Sequence, residues 1–328
     1  MWIPVLLFIL GLICLIKGGD WFVDGAVSLA HRLNLPEILI GATVVSIGTT
    51  LPEVMVSATS AATGHGDLAY GNAIGSIICN TALIAALTMA IRPAAVKKKD
   101  LIVPSVGFFL AAAVYCIVSY LTKTFTRMTG IILLVMFVVY MLISIKQSFG
   151  GHKNAGTAEI QGTDSKESGK EEMPVWKMVL FLVLGAALIA VGARLLVDNG
   201  TKIAEALGVP ESVIALTFVA LGTSLPELVT AITSLAKGHG ALSVGNIIGA
   251  NLFNLVLVSG ISIVIQPFDL PSSKLLFGQN ASLVLDLPLM VIVMLILVLP
   301  ALLKEKLYRW QGIVLLVIYA GFCVSQVL

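Results

Sequence analysis

The chain has 328 residues, 58% of them hydrophobic and 12% charged, with a net charge of +2 and a mean hydropathy of +1.02. That is more apolar surface than a water-soluble core of this length can hide, so a soluble globular domain is excluded and lipid is required as solvent. The small net charge conceals long uncharged stretches, with Lys and Arg gathered in a few short gaps, and no nucleic-acid partner is expected.

Runs long enough to cross about 30 Å of hydrocarbon are predicted over 2–33, 36–63, 68–91, 101–121 and 127–147. The first lacks a basic leading segment and continues into a patterned helix, so cleavage is not expected. Cys14, Cys79, Cys116 and Cys323 stand singly in apolar runs and read as packing residues. A Gly-, Ser- and charge-rich gap over 149–174 reads as a flexible linker. Five more crossings are predicted over 175–207, 210–236, 242–266, 284–303 and 309–327. The chain thus divides into 1–148, the linker 149–174 and 175–328. Asp100 and Asp286 each open an apolar run and read as N-caps.

Ten crossings leave both termini on one side. Arg92, Lys97, Lys98, Lys99, the linker lysines, Lys304, Lys306 and Arg309 fall on the other, against only Lys123, Arg127 and Lys274. The bias of basic residues toward the cytoplasm then places both termini outside it, in the cell (plasma or inner) membrane.

A shift of 174 residues aligns 36–80 with 210–254 without a gap, with identical residues at 22 of 45 positions. The matches include Gly, Pro, Glu, Asn and His rather than scattered aliphatics, which marks a duplication. An odd number of crossings per half makes the second half enter the membrane from the opposite side. Such inverted repeats place substrate at their interface, on discontinuous helices.

Each repeat carries Gly48-Thr49-Thr50-Leu51-Pro52-Glu53 or its match Gly222-Thr223-Ser224-Leu225-Pro226-Glu227. Pro removes a helical hydrogen bond and Gly allows a bend, so both helices are expected to break here. The backbone carbonyls around Ser46 and Ala220 then face a cavity. A carboxylate at membrane depth needs a proton, a partner or a cation. Calcium takes six to eight oxygens, and Glu53 and Glu227, the freed carbonyls and the hydroxyls of Thr49, Thr50, Thr223 and Ser224 supply such a set. The bland alternative is a Pro-kinked helix whose Glu is satisfied by a hydroxyl, which two symmetric copies disfavour.

The second motif runs Gly71-Asn72-Ala73-Ile74-Gly75-Ser76 to Asn80, repeated as Gly245-Asn246-Ile247-Ile248-Gly249-Ala250 to Asn254. Gly71 and Gly75 lie one turn apart, a small-residue face for close helix contact beside a polar face bearing Ser76 and Asn80. Asn80 and Asn254 offer neutral amide oxygens. Asn72 and Asn246 divide evenly between lining the site and bridging helices. His65 and His239 sit in matching GHG sequences on opposite membrane faces and read as helix-ending turns. Asp24 and Asp198 also match under the shift, while Asp20 is matched by Arg194; these read as gate or packing residues.

At these motifs the sequence resembles the cation/calcium exchanger superfamily, most closely its bacterial and archaeal sodium/calcium exchangers, over nearly the whole chain. The resemblance implies an all-α integral membrane protein of ten helices in two inverted five-helix repeats. It implies a secondary antiporter exchanging calcium for sodium by alternating access, the long first and sixth helices sliding against the rest. Carried over by position, it implies ion ligands at Glu53, Glu227, Thr49, Thr50, Thr223, Ser224, Ser76, Asn80 and Asn254. Ala250 departs from the pattern where Ser is usual, Ile77 stands at a commonly polar position whose partner Asn251 is retained, and Asn254 argues against potassium dependence. No cofactor is expected beyond the transported ions, and a monomer suffices. A calcium/proton antiporter stays open because a buried Glu readily takes a proton. A cation channel fits two broken helices less well, and no enzyme motif is present.

Overall fold

The computed structural model describes residues 2–150, 173–207, 222–272, 274–276 and 278–327. Its helical runs, in chain order, are α1 Trp2–Arg32, α2 Glu37–Ala62, α3 Gly66–Ile91, α4 Lys98–Leu121, α5 Arg127–Gly150, α6 Val175–Ala206, α7 Leu225–Ala236, α8 Gly240–Ile265, α9 Ser282–Lys304 and α10 Arg309–Val327. Eight of them are long and apolar enough to cross a membrane. The first half of the span expected over 210–236 and nearly all of the linker lie outside the described residues. The fold is an all-helical membrane architecture, with exposed apolar faces such as Ile9, Ile13 and Ile16 on α1 and Val135, Val138 and Val139 on α5 turned to lipid.

Short connections tie the helix ends into two groups. At one end the two-residue strand β1, Thr124–Phe125, pairs antiparallel with β2, Phe268–Asp269. The Lys274 Nζ there donates to the Ser325 carbonyl. At the other end Ala95 bridges Lys306, the Lys98 N–H donates to Glu305 Oε1 at 2.9 Å, and His239 Nδ1 meets Glu37 Oε1 at 2.8 Å. We call this second, basic group the lysine-rich end. A further hairpin, β3 Leu275–Leu276 with β4 Gln279–Asn280, lies between α8 and α9.

α1 and α6 pack against each other antiparallel, because glycine lets their backbones touch. A Cβ added at Gly185 would lie 2.6 Å from the Phe22 amide nitrogen, and one at Gly192 2.8 Å from the Gly11 carbonyl oxygen. Gly19 faces α7 instead, against Thr233 and Val229. Leu15, Phe22, Val23, Ala26, Ile189 and Ala193 form the core of this pair. A larger core fills the space among α3, α4, α8 and α9, centred on Ile77, Phe108, Tyr115, Phe253 and Met290.

Two expectations fail here. The helix through Pro52 does not break, since Ser46–Ala62 is continuous. The residue four back, whose carbonyl the proline ring crowds, is Gly48, which has no side chain to add to the crowding. Helix α2 widens earlier instead, in a π turn over Gly41–Val45, where Ser46 Oγ donates to the Gly41 carbonyl at 2.8 Å. Asp100 and Asp286 do not cap. α4 starts at Lys98 with Asp100 inside its first turn, and Asp286 closes a π turn, with no side-chain cap bond at either start.

The turn expected at each histidine is present. Gly64 and Gly238 take left-handed backbone at φ 82° and 88°, ending α2 and α7, and His65 and His239 begin the next helix. The four cysteines are unpaired, Cys79 buried and the others half-buried.

Candidate ion-binding site

Glu53 sits in the middle of α2, whereas Glu227 lies in the first turn of α7. That helix starts at Leu225 after a turn at Thr223–Ser224, so the expected break is present here. The amino end of α7 favours negative charge through its unpaired N–H groups. Both glutamates are fully buried, and none of their four carboxylate oxygens has a hydrogen-bond partner among the described residues. Thr49 and Thr50 of α2 stand beside the Glu227 carboxylate, and the two carboxylates are close enough to repel.

The amide groups of Asn80 and Asn254, Thr50 Oγ1 and Ser224 Oγ are likewise buried without partners among the described residues. Each asparagine is the first residue of a π turn, Asn80–Ala85 in α3 and Asn254–Val258 in α8. Such turns rotate the following residues and are frequent at functional positions. Leaving this many polar atoms unpaired in an apolar interior costs about 1–3 kcal/mol each. Apart from the two amide nitrogens, the uncompensated atoms are carboxylate, amide and hydroxyl oxygens, the hard donor set of calcium and sodium.

The remaining expected positions are placed as follows. Thr49 Oγ1 is 3.1 Å from Asn246 Oδ1 and 3.5 Å from the Ser46 carbonyl oxygen. Thr223 Oγ1 is 3.2 Å from Asn72 Oδ1. Ser76 is buried on α3, and Ala250 is buried at the matched position of α8. Ala220 lies outside the described residues. Asn72 and Asn246 bridge helices. Asn251, matched by Ile77, donates to Thr81 Oγ1 at 2.7 Å and contacts the Met294 sulfur.

The close helix contact expected of Gly71 and Gly75 is not made among the described residues; their matches Gly245 and Gly249 make one instead, against Ile38 and Ala42 of α2. A small cavity lined by Phe22, Gly48, Thr49, Pro52, Ile189 and Pro226 separates the site from the α1–α6 pair.

The sequence reading did not single out Thr230 and Ser234. Both continue the Glu227 face of α7, fully buried and unpartnered among the described residues. Their spacing of three and seven residues from Glu227 was the available signal. Their matches in the first repeat are Val56 and Ser60, so the duplication did not draw attention to Thr230.

A multi-helix membrane fold, with two buried carboxylates contributed by duplicated motifs and surrounded by neutral oxygens, defines a cation/calcium antiporter. The sodium/calcium exchanger protein family matches residues 3–146 and 177–328, and the chain belongs to that family. It is 30% identical to the sodium/calcium exchanger MaX1 of Methanosarcina acetivorans, over 97% of each chain. It is 35% identical to an uncharacterised membrane protein of Methanocaldococcus jannaschii, over 95% of this chain and 94% of that one. The sodium-calcium exchanger NCX_Mj superposes with a TM-score of 0.79 at 32% identity, covering 98% of both chains. By name, two of these relatives are sodium/calcium exchangers and the third is a membrane protein.

Proposed function

We propose that the chain exchanges calcium for sodium across the cell membrane by alternating access, with one shared site at Glu53 and Glu227. The observation that carries this is the pair of fully buried carboxylates, without hydrogen-bond partners among the described residues, brought close together from matched motifs. Two negative charges among otherwise neutral ligands are balanced by one calcium or by a few sodium ions, so the two cations compete. Thr49, Thr50, Thr223, Ser224, Ser76, Asn80, Asn254 and the Ser46 and Ala220 carbonyls complete the site in this reading. A site that crosses lipid only when its charge is neutralised performs exchange rather than leak.

In this reading residues 1–148 and 175–328 are inverted five-helix halves joined by 149–174, and one chain is the working unit. The antiparallel packing of α1 on α6, which occupy matched positions, supports the inversion. The cavity between the α1–α6 pair and the site motifs supports movement of that pair against the other helices. The lysine-rich end faces the cytoplasm in this reading, supported by the charge bias of its loops.

The test is calcium flux into proteoliposomes under imposed sodium or proton gradients. Sodium-driven flux that disappears in Glu53→Gln and Glu227→Gln is expected. Flux driven by a proton gradient alone would replace sodium with protons as the coupling ion, and flux without any counter-ion would make the chain a channel.

A further inference from the structure

Two asparagines outside the proposed ligand set each accept a hydrogen bond from a threonine within it. The Asn72 Nδ2 lies 3.2 Å from the Glu53 carbonyl oxygen and 2.8 Å from Ser57 Oγ. A carbonyl can only accept, so the NH2 group must face Glu53, and the amide oxygen is left facing Thr223 Oγ1 at 3.2 Å. An amide oxygen also only accepts. Thr223 is therefore the donor, and a hydroxyl has a single proton to give.

The second repeat reproduces the arrangement in the other direction. Asn246 Oδ1 lies 3.1 Å from Thr49 Oγ1. Ser46 Oγ approaches the same oxygen at 3.4 Å, but the Gly41 carbonyl at 2.8 Å is its nearer acceptor. The two pairs cross between halves, α3 holding the threonine before α7 and α8 holding the threonine of α2. They differ in one respect. The NH2 of Asn72 is pinned by Glu53 and Ser57, whereas Ser57 is matched by Ala231 and the Asn246 NH2 has no partner among the described residues.

We propose that Asn72 and Asn246 are positioning residues that take the hydroxyl protons of Thr223 and Thr49, so that both threonines present only lone pairs to the cation. The proposal rests on the reading of Glu53 and Glu227 as the cation site. Without the amide oxygen, Thr49 turns its proton to the Glu227 carboxylate beside it. That bond ties up a carboxylate lone pair and must break before a cation can use either group. The asparagines thus keep the site arranged for a metal ion when it is vacated, and favour cation binding over a closed, hydrogen-bonded state.

The test is calcium binding to the purified full-length chain by isothermal titration calorimetry, alongside its thermal stability without calcium. Asn246→Leu is expected to weaken calcium binding on the order of 10- to 100-fold, the range seen when a group that orients a metal ligand is removed. In a Thr49→Val background the same change is expected to add nothing, because no proton is left to direct.

Additive losses in this double-mutant cycle would overturn the proposal, since a packing role does not depend on the Thr49 hydroxyl. Asn246→Asp, which keeps the acceptor, is expected to bind calcium better than Asn246→Leu, and equal weakness would also overturn it. Asn72→Leu with Thr223→Val repeats the cycle in the other half should the first variants fail to fold. If Glu53→Gln and Glu227→Gln leave calcium binding intact, the site reading has failed; if they abolish it while the asparagine variants bind normally, only the positioning role has failed.

Discussion

Lys237, one residue beyond α7, holds its ammonium 2.8 Å from Asp24 Oδ1 on α1 and 3.4 Å from Asp20 Oδ1. It joins the α1–α6 pair to the helix carrying Glu227 at the lysine-rich end. Among the described residues, the matched positions make no such clasp at the other end. Thr63 stands in the place of Lys237, and Asp198 pairs with Arg194 of its own helix at 3.7 Å. If α1 and α6 move during exchange, the clasp opens whenever the site faces the lysine-rich end. Lys237 and Asp24 keep 27% and 45% of their side chains exposed, so the pair contributes about 0.5–1 kcal/mol. Lys237→Gln is expected to raise the population open at that end about two- to fivefold. Labelling of cysteines introduced along the Glu227 face of α7 measures the change, and wild-type labelling is expected to rise with salt, which screens the pair.

The two glutamates carry opposite consequences for stability and function. With no partner among the described residues, each carboxylate costs folding free energy when ionised. Glu53→Gln and Glu227→Gln are each expected to reduce exchange by about 30-fold or more, the loss when one partner of a buried charge interaction is removed. The ion-free melting temperature is expected to stay level or rise, because an uncompensated buried charge has been removed. Calcium at about 100 times its dissociation constant should stabilise the wild type by about 2.7 kcal/mol. It should not shift the double variant. Thermal unfolding in detergent with and without calcium reads both effects.

Ser76 and Ala250 occupy matched, buried positions on α3 and α8, so in the proposed site only one half has this hydroxyl. Sodium, singly charged, draws more of its binding from neutral oxygens than calcium does. Ala250→Ser is therefore expected to raise the apparent sodium affinity by about fivefold, near the worth of one hydrogen-bond-sized interaction. The calcium affinity should move less. Ser76→Ala is expected to act in the opposite direction, and the sodium dependence of calcium flux from each variant checks both.

Much of the site was legible because the duplication repeats its polar residues. Glu53 and Glu227 stood out as charges inside apolar runs, and the spans followed from hydrophobic length. What escaped was set by neighbours distant in sequence. The helix runs on through Pro52 with Gly48 packed under Phe22 of α1, a contact that no local pattern announces. The π turns starting at Asn80 and Asn254 have no signature in the hydrophobic pattern of α3 and α8. The balance between lining and bridging at Asn72 could not be decided without Thr223, 151 residues away. The pair Lys237 and Asp24 is separated by 213 residues.

The small-residue face of α8 leads to a final prediction. Gly245 lies against the Ile38 backbone and Gly249 against Ala42 and Ser46, so the first π-widened stretch of α2 rests directly on α8. A methyl group at Gly245 would meet the Ile38 carbonyl, a backbone atom that cannot rotate aside. Gly245→Ala should force the helices apart at a cost of about 1–3 kcal/mol, as for other insertions into packed interiors. The separation would also draw Asn246, the next residue, away from Thr49. Gly245→Ala is therefore expected to lower both the ion-free melting temperature and calcium affinity, whereas Gly64→Ala, at an open turn with φ 82°, should lower stability alone. Calorimetric titration and thermal unfolding of both variants separate the two outcomes, and a Gly245→Ala protein with normal calcium affinity would show that this contact supports the fold without shaping the site.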